Sequence, residues 1–198
     1  MALKAHNPNG GKGKDVPQAG VQAARLVGIT DLGHQPGFTY QGKQIESSYK
    51  VEFTYELVNS LMEDGRPHWV SEQFKFSDWR GKNGSFPSTM MSRVDALDPL
   101  NESNDGEDLT ILLDKPCMLT VSLTDDGWPK IKGQAAVTGV PLGMEVAPLQ
   151  NEPFAFDMEA PDMDLWATFP EFKQNQIKNA LNLADTPLAK ELAQLDEL

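Results

Sequence analysis

Tyr49-Lys50-Val51-Glu52-Phe53-Thr54-Tyr55-Glu56-Leu57 alternates large apolar with polar or charged side chains over nine positions. Successive side chains of a β-strand point to opposite faces, so the alternation predicts a strand with one face buried and one open. Upstream, VQAARLVGITD (21–31) is a second β-compatible run, with Val27 and Ile29 expected on one face and Leu26 on the other. Downstream, the Asp64-Gly65 turn leads into HWVSEQFKF (68–76). There Trp69, Ser71, Gln73 and Lys75 share one face, and Val70, Glu72, Phe74 and Phe76 share the other. Phe74 and Phe76 are expected in the core. The first two strands are joined by LGHQPGFTYQGKQIES (32–47), which carries Phe38, Tyr40 and Lys43. Connections of that length without structure of their own are uncommon and often functional.

Beyond the third strand, SDWRGKNGSF (77–86) is Gly-rich, and STMMSRVDAL (88–97) reads as a helix capped by Ser88 with Met90, Met91, Val94 and Leu97 turned inward. LTILLDKP (109–116) reads as a short helix or turn. Two further strands, Cys117 to Leu123 and Trp128 to Val137, meet across the Asp125-Asp126-Gly127 turn. Three strands, a helix and two strands, with a long first connection, is the element order of a five-stranded antiparallel Greek-key OB-fold barrel, an order shared by other small barrels. The expected division is a flexible arm over 1–20, the barrel over 21–140, and an acidic Pro-rich wrap with C-terminal helices over 141–198. Those helices are expected from Pro170, with Phe172, Ile177 and Leu181 near one face, and again from Thr186-Pro187.

Charge is divided along the chain. Residues 1–90 carry a net +1 and residues 91–198 a net −13, so a near-neutral body able to meet a polyanion precedes a segment that repels one. The start, MALKAHNPNGGKGKD, lacks the apolar stretch of a secretory signal, and no apolar run approaches the roughly 20 residues of a membrane span, so a cytoplasmic protein without membrane partners is expected. One cysteine, Cys117, excludes an internal disulfide and reads as a buried, inert thiol. His6, His34 and His68 have no metal-site spacing, and no nucleophile-elbow, zinc-protease or phosphate-loop motif occurs. Neither an enzyme nor a metal or other cofactor is expected.

The blocks AARLVGITDLGHQP (23–36), SYKVEFTYELV (48–58), EDGRPHWVSEQF (63–74), LLDKPCMLTV (112–121) and the 151–181 region resemble, in content and order, a family of small tailed-bacteriophage single-stranded DNA-binding proteins. The resemblance spans residues 20–182. It implies an OB-fold that coats single strands during phage DNA replication or recombination, in the cytoplasm of an infected bacterium, with phage replication or recombination proteins as partners of the C-terminal region. Many replicative proteins of this kind end in an acidic tail with a terminal aromatic residue; Leu195-Asp196-Glu197-Leu198 has none. Monomer and homodimer stay open.

Sequence-independent binding of single strands needs cations along the backbone and flat side chains on which bases stack. Lys75, Trp79, Arg80 and Lys82 interleave both in one stretch. Trp128, Lys130 and Lys132 form a second stripe beside the fourth turn, where OB-folds contact oligonucleotides. Tyr40 and Lys43 of the long connection, and Lys50 on the polar face of the alternating strand, complete the candidates, with Glu52 and Glu56 on that face expected to oppose a phosphate. The competing function is a phage structural or accessory interaction module without nucleic-acid activity; a third is an acidic decoy that mimics DNA.

Overall fold

The computed structural model describes residues 15–77, 87–103, 106–137 and 146–196. The alternating stretch forms β4 (Ser48–Leu61), an interior strand of a mainly antiparallel sheet. It pairs on one side with β1 (Gly20–Gln35) and on the other with β5 (Pro67–Lys75). β1 is long because it serves two neighbours: its first half pairs with β6 (Pro116–Leu123), which pairs in turn with β7 (Pro129–Ala136). The order is β5-β4-β1-β6-β7.

The β1–β4 ladder is irregular between Leu26 and Gly28 and between Asp31 and Gly33. A bulge inserts an unpaired residue and shifts the face of every side chain beyond it. Leu26 and Ile29 therefore enter the same core, and Val27 is buried too, instead of the two-faced arrangement expected from strict alternation.

That core holds Phe53, Tyr55 and Leu57 of β4, Val70 and Phe74 of β5, Cys117, Leu119 and Val121 of β6 and Ile131 of β7. Helix α1 (Thr89–Leu97), whose Met91 N–H is capped by Ser88 Oγ at 3.2 Å, adds Met90, Met91, Val94 and Leu97. It packs against β5, β6 and β7, and the outer strands β5 and β7 also touch. Among the described residues no ladder joins β5 to β7, so the sheet curls without closing into a hydrogen-bonded barrel. Leu109–Leu112 form a single 3-10 turn.

Three strands go beyond the expected five. The long first connection contains a hairpin, β2 (Phe38–Tyr40) and β3 (Lys43–Ile45). Its two-residue turn has Gln41 and Gly42 at φ 49° and 75°, the positive pair a tight hairpin requires. The Pro-rich wrap contains β8 (Phe154–Phe156), which adds in parallel to Gly28–Thr30 of β1, past the point where β6 ends.

After β8 come α2 (Met163–Thr168), α3 (Glu171–Lys178) and α4 (Pro187–Asp196). They build a second core of Phe156, Met158, Trp166, Phe169, Ile177, Ala180 and Leu188 on Leu32 of β1. In α3 only Ile177 of the expected apolar face is buried; Phe172 is 68% exposed, and Leu181 beyond the helix is also exposed. The acidic region is thus docked on the sheet. Arg25 holds its start, donating to the Ala147 and Val146 carbonyls at 2.8 and 3.0 Å. Two glycines of β1 make room for it. A Cβ on Gly28 would lie 2.2 Å from the Phe154 ring, and Gly33, at φ 69°, faces Ala180, Asn182 and Met158.

Candidate nucleic-acid interface

On the outward face of β4 and β5, register partners share a side of the sheet in successive rows: Lys50 with Lys75, Glu52 with Gln73, Thr54 with Ser71, and Glu56 with Trp69. The rows differ in fate. Glu56, fully buried, accepts from the Gln150 backbone N–H at 2.6 Å, Asn151 Nδ2 at 2.7 Å and the Trp69 indole at 3.2 Å. Glu52 pairs with Lys173 Nζ at 2.5 Å, and Gln73 exchanges two amide hydrogen bonds with Gln176, at 3.0 and 2.9 Å. Helix α3 therefore crosses the Glu52 row. The carboxylates expected to repel a phosphate from Lys50 are committed to the C-terminal region instead.

Lys50 and Lys75 lie on the open side of α3. Like charges directly opposite across strands cost stability unless a counter-charge arrives, and among the described residues neither lysine has an ion pair. The β2–β3 hairpin stands beside them, with Lys50 Nζ 6.0 Å from the Phe38 ring centroid. Pairing Phe38 with Ile45 and Tyr40 with Lys43 puts all four side chains on one face of the hairpin, all exposed. Phe38 thus adjoins Lys50, and Tyr40 and Lys43 share its hairpin face.

One row further out, the Phe76 N–H bonds to the Tyr49 carbonyl at 2.8 Å, and the two rings meet edge to face, centroids 6.1 Å apart. Phe76, expected in the core, is 48% exposed, one residue past the end of β5. Tyr49 and Phe76 border an open cavity of about 470 Å³, also lined by Ile29, Val51, Leu109 and Phe156. The Tyr49 hydroxyl donates to Asp31 Oδ2 at 2.7 Å. Burial, partly offset by the bonds from Gly33 and Tyr49, raises the Asp31 pKa above the usual carboxylate range. Tyr49 was legible as an apolar-face residue, but no pattern marks where the core beneath a strand's last row ends.

Of the other candidates, Trp128, Lys130 and Lys132 belong to the β6–β7 hairpin and are exposed around buried Ile131. They flank the start of β1, whereas Lys50 and the β2–β3 hairpin flank its end, so the two groups do not converge. Trp79, Arg80 and Lys82 lie outside the described residues, as does most of the expected N-terminal arm. Cys117 is fully buried, and desolvation pushes its thiol up to about 12, which leaves it unreactive at neutral pH. No group of three or more metal-ligating side chains occurs among the described residues, and none of their helices is long and apolar enough to cross a membrane. No protein family, curated protein or solved structure matches the chain.

Proposed function

We propose that this chain binds single-stranded DNA through phosphate contacts at Lys50, Lys75 and Lys43 and base stacking on Phe38 and Tyr40. The observation that carries the reading is the opposed Lys50–Lys75 pair, without an ion pair among the described residues, with Lys50 beside the exposed Phe38 of the hairpin. An OB arrangement supports it. Taken as β1, β4, β5, β6 and β7 with α1 between the third and fourth, the element order and pairing suit that fold, whose second and third strands and first and fourth loops contact oligonucleotides.

Under this reading, and the family resemblance, the protein coats single strands during phage replication or recombination, and Trp128, Lys130 and Lys132 serve as a second contact along a longer strand. The docked C-terminal region then presents its acids, a net −7 after residue 150, to protein partners. The same acidic surface is what favours the competing reading, an accessory interaction module without nucleic-acid activity. Anisotropy titration of a labelled oligonucleotide at low salt separates them. Saturable binding of the single strand, displaced by unlabelled single strand and weakly by duplex, is expected; no binding contradicts the proposal.

A further inference from the structure

The cavity beside Tyr49 and Phe76 has a chemistry of its own. Its walls are Ile29, Val51, Leu109, Phe156 and the two rings, and its polar fringe is Asp31, Thr110 and Asp157. Both Asp31 oxygens are engaged, by the Gly33 N–H at 2.8 Å and the Tyr49 hydroxyl. The Thr110 hydroxyl donates to Asp108 at 2.5 Å. Asp157 uses Oδ1 for the Glu159 N–H at 2.8 Å, which leaves Oδ2 as an acceptor. Among the described lining residues, then, the free polar capacity is for accepting hydrogen bonds, and an apolar, flat guest that donates one is the best match.

We infer that this cavity receives one unstacked nucleobase with an exocyclic amino group, which donates to Asp157 while the ring packs on Phe76 and Tyr49. The inference rests on the single-stranded DNA reading. Register supplies the link: the Tyr49–Phe76 row follows the Lys50–Lys75 row by one step of about 3.3 Å along the strands, with side chains on the opposite face. A nucleotide bent over the end of β4 and β5 would set its phosphate on the lysines and its base in the cavity. Thymine presents a carbonyl where cytosine presents an amino group, so the cavity confers a preference at one position on an otherwise sequence-tolerant surface.

The test compares dC and dT oligonucleotides of equal length, by anisotropy at fixed salt, on the full chain and two variants. The wild type is expected to favour dC by about fivefold or more, the low end of what one specific base contact provides. Asp157→Asn keeps its bond to the Glu159 N–H and turns a donor to the cavity, so it should abolish or reverse that preference by weakening dC and strengthening dT binding. Phe76→Ala should weaken dC binding about fivefold or more through lost stacking. Equal dC and dT affinities in the wild type, or a preference that survives Asp157→Asn, would overturn the cavity assignment while the DNA-binding reading stands. Failure to bind either oligonucleotide would overturn both.

Discussion

Lys50 and Lys75 are cross-strand partners set directly opposite one another, while in the next row on that face Glu52 is buried against Lys173 and Gln73 is tied to Gln176 of α3. The boundary between open cationic face and covered polar face thus falls between two consecutive rows of the same strand pair. A repulsive pair at the open end costs a little stability in the free protein, and a phosphate group removes that cost on binding.

The hairpin face should contribute without supporting the fold. Tyr40 is 60% exposed and pairs across the hairpin with exposed Lys43. Tyr40→Ala is expected to weaken single-strand binding by about 1–3 kcal/mol, the range for one stacked base. Its urea midpoint should match the wild type. A shifted midpoint with unchanged affinity would make Tyr40 a packing residue.

Docking of the C-terminal region depends on Gly28. A methyl group there collides with the Phe154 ring, and forced overpacking costs about 1–3 kcal/mol. Gly28→Ala should lower the denaturation midpoint and open residues 146–196 to limited proteolysis before the sheet. Unchanged proteolysis would mean that β8 accommodates the substitution.

The Lys173–Glu52 pair is nearly dry, its side chains 11% and 6% exposed. Removing one partner leaves a buried charge, so Lys173→Met should destabilise by about 3–5 kcal/mol. Combining it with Glu52→Gln should recover most of the loss. Additive losses in this double-mutant cycle would show that the pair is not coupled.

Asp31 carries a definite sign. Its folded pKa is raised above the ordinary 3.8, chiefly by burial, so between those values the folded state binds more protons than the unfolded chain and stability falls as pH rises. Above the folded pKa the full penalty remains, and below 3.8 it vanishes. Asp31→Asn should therefore gain stability relative to wild type as pH rises through this window. A difference that shrinks with rising pH would contradict the assignment.

How far the sequence reached differs by element. The nine-residue alternation of β4 was decisive because both of its faces are long and uniformly occupied, and the Ser88 cap and the Asp-Gly turns were legible from local chemistry. β2 and β3 were not, since three-residue strands joined by Gln41-Gly42 offer too little period and no Asn-Gly signal. β8 was hidden for a similar reason: its pairing depends on the missing side chain of Gly28, a tertiary fit invisible in the run itself. Among candidate residues, register sets Lys50 opposite Lys75, and hairpin pairing sets Tyr40 opposite Lys43. Phe76, expected in the core, lies partly outside it because alternation gives a side chain's face and not where the core beneath it ends.

The salt dependence of single-strand affinity tests the central claim most directly. Wild-type affinity should fall with rising salt at about 0.7 log units per log salt for each phosphate neutralised, and Lys50→Ala/Lys75→Ala should reduce that slope by about 1.4. An unchanged slope in the double variant, or a wild-type affinity indifferent to salt, would contradict the account.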